Sequence, residues 1–214
     1  MRDCCDFSEV PVRQRRTLHV VLWINAGMFV VEFGAGLLAQ STALLADSVD
    51  MLGDALVYGF SLYVVGRPVL WQRRAALLKG AIMAAFGILV LVQVIIKVFG
   101  AVVPAPGVMG GVGMLALAAN TLCLFLLRRR RSDDINMQSA WLCSRNDVVA
   151  NGGVLIAAAA VALSGSMWPD IVVGLAITAI FVTSAARVIR TARHAILTPA
   201  SPATGPPTPR ATRS

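Results

Sequence analysis

The chain has 214 residues, 57% of them hydrophobic and 14% charged, with a mean hydropathy of +0.74 and a net charge of +8. Soluble domains carry about a quarter charged residues, so this composition excludes an ordinary soluble fold and points to an all-α, polytopic membrane protein. The basic residues cluster between apolar runs and do not line one helix face with aromatics, so nucleic acid is not an expected partner and the lipid bilayer is.

Residues 1–17 read as a cytoplasmic N-terminal segment. It is polar and mixed in charge, and the apolar run that follows is too long for the core of a cleavable signal peptide. Cys4 and Cys5, between Asp3 and Asp6, are candidates for cytoplasmic metal capture. The four cysteines do not form a disulfide framework, because Cys123 and Cys143 fall inside apolar runs and adjacent cysteines rarely pair.

A bilayer core about 30 Å thick needs about 20 apolar residues of helix. That ruler gives six spans within residues 18–197: Leu18–Ala39, Leu44–Val65, Ala75–Phe99, Val108–Leu127, Met137–Leu163 and Ile171–Ile189. Turn residues separate them, including Gln40 to Thr42, Gly66 to Pro68, Gly100 to Pro106 and Gly165 to Pro169. Pro169 and Asp170 suit a helix start, with the aspartate as a cap or in the first turn. Residues 198–214, rich in Pro, Thr, Ser and Ala, are expected to form a disordered cytoplasmic tail.

Of the 19 lysines and arginines, 17 fall before the first span, around the second-to-third connection, after the fourth span or after the sixth. The positive-inside rule then places both termini in the cytoplasm of a multi-pass cell-membrane protein. The exceptions are Lys97, at a helix end, and Arg145, inside the fifth span. Arg145 points away from the polar face of its helix and is read as snorkelling to the cytoplasmic interface.

Acids inside the spans carry the functional signal. They are Glu32 in the first, Asp47, Asp50 and Asp54 in the second, and Asp147 in the fifth. An aspartate at a helix centre costs about 2.5–3.5 kcal/mol on insertion, and Asn or Ser would meet a structural need more cheaply. At 100° per residue, Asp47, Asp50 and Asp54 share a narrow arc of one helix face. Cys143, Asp147 and Asn151 follow one another at four-residue spacing and share a face of the fifth helix. Asp54 and Asp147 each lie about 15 Å along their helices from the entry end, so the two polar faces meet near the bilayer midplane. Asp50, Asp54, Cys143 and Asp147 make a four-ligand set. A thiolate with carboxylates at tetrahedral count suits zinc or cadmium better than magnesium, calcium or manganese. Each ligand binds metal only when deprotonated, so H+ competes for the site. The metal is cargo, and no resident cofactor is expected.

The run from Asn25 through Glu32 to Ser41, and on through Asp47, Asp50 and Asp54, resembles the first two helices of the cation diffusion facilitator family. Cys143 to Gly152 resembles its fifth helix and Trp168-Pro169-Asp170 the start of its sixth, so the similarity extends from Thr17 to Leu197. The resemblance implies a homodimeric metal/proton antiporter working by alternating access, with Asp50, Asp54, Cys143 and Asp147 as the binding residues. Three departures are visible. Neither Asp50 nor Cys143 is the histidine found in many zinc-transporting relatives. The usual histidine-rich loop between helices four and five is replaced by Arg128 to Asp134. The family's cytoplasmic C-terminal domain is expected to be missing, which would leave dimerisation to the membrane helices.

Asp47 is an auxiliary ligand or exit-path candidate, and otherwise a charge partner of its helix N-terminus. Glu32 and Asn151 are further auxiliary candidates, though Asn25, Glu32, Asn120 and Asn151 read more simply as hydrogen-bonded packing groups. Cys123 reads as a small core residue, His19 and His194 as interfacial, and Gly34, Gly36, Gly152 and Gly153 as points of close helix approach. Two other functions compete with transport: a metal sensor or partner subunit that moves no metal, and a metal-dependent membrane enzyme. The second is disfavoured. The Asp47/Asp50/Asp54 spacing superficially resembles that of phosphatidyltransferases, but Met51 and Leu52 stand where those need a glycine, and no basic residue is near.

Overall fold

In the computed structural model, which describes residues 12–64, 69–128 and 135–197, the chain forms six α-helices. They are α1 (Val12–Leu38), α2 (Thr42–Val64), α3 (Val69–Gly100), α4 (Pro106–Arg128), α5 (Ile135–Ser164) and α6 (Trp168–Leu197). Each expected span lies within or close to one of these helices. Several run beyond the apolar stretch by one or two turns, because Arg, Gln and Ala flanking the lipid-facing segments are good helix formers. A number of side chains inside the helices, Cys143 among them, lie outside the described residues, as do Cys4 and Cys5.

Among the described residues, five helices are long and apolar enough to cross a membrane: α1, α3, α4, α5 and α6. The sixth, α2, carries Asp47, Asp50 and Asp54 and can do so because its neighbours shield it. It packs against α1, α3, α5 and α6, and every residue from Ser41 to Val49 is buried. Around it, α1, α2, α5 and α4 close a four-membered ring through their successive contacts, and the paired α3 and α6 dock alongside on α2 and α5. The outward side chains are apolar, with Trp23, Val30, Ile88, Ile95, Ile156 and Ile180 all exposed. A soluble monomer rarely shows so much contiguous apolar surface; here it faces lipid.

Two apolar clusters flank the acids. One runs from the α1–α2 turn along the side of α2 that meets α3 and α6, gathering Leu44, Leu45 and Val49 with Met83 and Phe181, and reaches Met109 and Val154. The other, toward Arg16 and Arg128, gathers Leu18, Val21, Val57, Tyr58, Cys123 and Leu127. On α2, Asp50 and Asp54 fall between Val49 of the first cluster and Val57 of the second. We call these two ends of the bundle the turn end and the basic end.

The turn joining α1 to α2 is tight and over-determined. Gln40 sits at φ 54°, the left-handed position of a helix C-terminus. Ser41 N–H donates to Gly36 O (2.9 Å) and Gln40 N–H to Leu37 O (3.3 Å), the Schellman pattern that satisfies the last carbonyls of α1. Of the four glycines expected to allow close approach, Gly36 does so: a Cβ there would stand 2.9 Å from Leu45 Cγ. A Cβ on Gly34 or Gly152 would meet open space, and one on Gly153 only an ordinary contact with Val173, so close packing is not their role. Between α2 and α6 it is Gly174 that has no room, with Thr42 Cγ2 2.6 Å from where its Cβ would lie.

Candidate metal-transport site

The one-face spacing of Asp47, Asp50 and Asp54 on α2 turns all three into the ring, toward α5 and α1. Asp147 enters from α5. Its carboxyl lies within electrostatic reach of those of Asp54, Asp50 and Asp47. Antiparallel helices thus bring two acids together in the bundle interior, as the helical phase predicts.

Around this pair the polar groups form a column along the ring axis. Toward the turn end, Asn151 Nδ2 donates to Asp147 O (2.8 Å) and to Asp47 Oδ1 (3.4 Å), tying α5 to α2 one turn above Asp147. Glu32 of α1 is fully buried within electrostatic reach of Asp47 and Asp50. Both its carboxyl oxygens, Asp47 Oδ2 and Asn151 Oδ1 are buried without a hydrogen-bond partner among the described residues. A buried polar atom left unpaired costs about 1–3 kcal/mol, so this cluster is held for something other than stability. The reading of Glu32 as a hydrogen-bonded packing group therefore does not describe its surroundings.

Toward the basic end, Tyr58 Oη donates to Asp54 Oδ2 (3.2 Å), and Asp54 lies within reach of Cys123. The spacing of Asp54 and Tyr58, one turn apart, was the available signal for that hydrogen bond. Among the described residues no three His, Cys, Asp or Glu side chains stand close enough to enclose a metal ion. The fourth expected ligand, Cys143, falls on α5 one turn before Asp147. Its side chain lies outside the described residues.

Arg145 is exposed and lies over the Trp141 ring, 5.7 Å from its centroid. It has turned away from the acids, as its phase requires. Lys97 is not merely a helix-end charge. It is fully buried and ion-paired with Asp170, which sits in the first turn of α6 yet caps α2: Ser41 Oγ (2.6 Å), Thr42 N–H (2.7 Å) and Ala43 N–H (3.1 Å) all donate to its carboxylate. Lys97 Nζ also donates to Gln40 O at 2.7 Å.

Known proteins bear on this arrangement. The family model for the cation efflux transmembrane domain matches residues 18–67 and 71–197, which include every helix-borne acid described above. The chain is 28% identical over 195 residues to the zinc transporter ZitB of Escherichia coli, an alignment covering 85% of this chain and 62% of that protein. It is 25% identical over 172 residues to the metal cation efflux system protein CzcD of Cupriavidus metallidurans, covering 75% and 54% respectively. ZitB of Yersinia pestis is 24% identical over 195 residues, again 85% of this chain and 62% of the relative. The chain thus spans less than two thirds of the length of the relatives it matches. The chain belongs to the cation diffusion facilitator family of metal efflux transporters.

Proposed function

We propose that this chain exports a divalent transition-metal ion, zinc or cadmium, from the cytoplasm in exchange for protons. The observation that carries the reading is the convergence of Asp50 and Asp54 of α2 with Asp147 of α5, acids borne by opposed helices inside the bundle. Carboxylates bind metal only when deprotonated, so a cation that enters such a cluster displaces the protons held there. Proton and metal then compete for the same oxygens, which is the minimum an antiporter requires. The names of ZitB and CzcD, a zinc transporter and a metal cation efflux protein, agree with this cargo.

Asp50, Asp54, Cys143 and Asp147 are the proposed ligands, with Asp47, Asn151 and Glu32 as auxiliary groups on the way to the turn end. The basic end faces the cytoplasm on the positive-inside rule, and both termini with it. Transport proceeds by alternating access: α2 and α5 shift against their neighbours so that the acids open to one side and then to the other. A homodimer formed through the membrane helices is the proposed assembly.

Uptake into proteoliposomes under an imposed pH gradient, run with several divalent metals, tests the reading. Zinc or cadmium is expected to enter in proportion to the proton gradient. Asp54→Ala and Asp147→Ala should abolish uptake with the protein still folded, and Cys143→Ser should weaken cadmium transport most. Normal flux in all three variants would overturn the site assignment.

A further inference from the structure

Tyr58 of α2 is 1% exposed and packs with Leu18, Val21, Val57, Cys123 and Leu127 in the apolar cluster at the basic end. Side chains on a helix lean toward its N-terminus, so the phenol reaches back one turn, and Tyr58 Oη donates to Asp54 Oδ2 at 3.2 Å. Asp54 is only half-buried, although the tyrosine behind it is enclosed. A neutral donor thus engages one oxygen of a proposed metal ligand from the basic side, and the bond involves Oδ2 rather than Oδ1.

Packing does not account for the hydroxyl. Phenylalanine would fill the same place in an apolar cluster and bring no polar atom to satisfy. Nor does the bond hold the bundle together. It joins two residues of one helix, four apart, and such pairs are worth about 0.2–0.5 kcal/mol. What the bond does is fix the orientation of a carboxylate, which is how partners behind a metal ligand tune the ion it takes.

We infer that Tyr58 is a positioning residue for Asp54 and biases the site toward small, four-coordinate ions. With Oδ2 engaged, Asp54 offers one oxygen to an ion. That suits zinc, which takes four ligands in a tetrahedron. Larger ions of higher coordination number commonly take both oxygens of a carboxylate, and cadmium, larger than zinc, gains more from the second oxygen. The hydroxyl keeps its proton and its bond to Oδ2 throughout. The inference rests on the reading of Asp54 as a metal ligand and adds to it which ion the site prefers and why.

The test is calorimetric titration of the full chain in detergent with zinc ion alone and with cadmium ion alone. Tyr58→Phe keeps the ring and removes only the donor, so the protein should melt as the unaltered chain does. Its zinc affinity should fall by about tenfold or more, the scale of losses behind a metal ligand. Its cadmium affinity should fall less, so that the ratio of the two moves toward cadmium. Tyr58→Leu, which also lacks the donor, should shift the ratio the same way. A zinc affinity unchanged in Tyr58→Phe would overturn the inference. Equal losses for both metals would do the same, because a general loosening of the site does not select between ions. A shift seen in Tyr58→Leu and not in Tyr58→Phe would assign the effect to ring packing and sink it too. Asp54→Ala separates this inference from the reading beneath it. If that variant binds zinc as the unaltered chain does, Asp54 is not a ligand and the site assignment falls. If it binds weakly or not at all while Tyr58→Phe binds normally, the site assignment stands and the role of Tyr58 falls alone.

Discussion

Asp170 and Lys97 form an ion pair with both side chains fully buried, at the end of the bundle where α2 begins. The carboxylate also accepts the first free N–H groups of α2, so it neutralises Lys97 and the positive end of that helix together. Three helices meet at one carboxylate, and the position of α2 along its axis, hence that of Asp47, Asp50 and Asp54, is set by it.

Removing either partner leaves a buried charge without compensation, which typically costs about 3–5 kcal/mol. Asp170→Ala and Lys97→Ala are each expected to lower the melting temperature sharply in heating experiments read by gel filtration. Lys97→Met combined with Asp170→Asn removes both charges and keeps an acceptor for the cap, so the double variant should melt above either alanine variant. If the double variant were as unstable as the sum of the singles, the pair would not be the interaction that matters.

Gly174 permits that arrangement. A Cβ at this position would meet Thr42 C at 2.8 Å and Thr42 O at 2.9 Å, backbone atoms that cannot swing aside as a side chain can. Gly174→Ala is therefore expected to push α6 away from the α2 N-terminus and loosen the Asp170 cap, with a loss of about 1–3 kcal/mol. Gly110→Ala on α4 meets nothing within 4 Å and serves as the neutral comparison. Equal melting of the two variants would refute the close-contact argument.

The six helices and the facing of Asp50 to Asp147 were legible in the sequence because both follow from local rules. Apolar length marks a span, and four-residue spacing places side chains on one face whatever the neighbours are. Lys97 and Asp170 were not legible as a pair. They lie on different helices, and each alone had an ordinary reading, one as an end charge and the other as the cap of its own helix. Tyr58 could have been found from its spacing to Asp54, but tyrosine in a membrane helix is a common interfacial residue and the cue was weak. Glu32 shows the same limit. Its phase with Asn25 is visible in the sequence, while its isolation from hydrogen-bonding groups depends on how α1 packs against α2.

Glu32 offers a prediction with two opposite signs. Its carboxyl is buried within electrostatic reach of Asp47 and Asp50, and neither of its oxygens has a hydrogen-bond partner among the described residues. Glu32→Gln removes an ionisable group from that cluster and should leave stability unchanged or raise it by about 1 kcal/mol. Flux in proteoliposomes should nonetheless fall several-fold, because a potential donor to metal or proton has gone. Unchanged flux in a folded Glu32→Gln protein would show that the acid is a bystander.

Arg145 and Asp147 provide the sharpest test of helical phase, since they are two residues apart on α5 and face opposite ways. Arg145 is exposed over the Trp141 ring, a contact worth about 0.5–1 kcal/mol at such a site. Arg145→Gln should cost no more stability than that and should leave metal uptake within about twofold of the unaltered protein, as surface changes usually do. Asp147→Asn keeps the size of the side chain but replaces an anionic metal ligand with a neutral amide. It should fold normally and transport nothing. Were the effects reversed, with the arginine essential and the aspartate dispensable, the polar interior of the bundle would have to lie on the other face of α5, and the pairing with Asp50 could not be the working site.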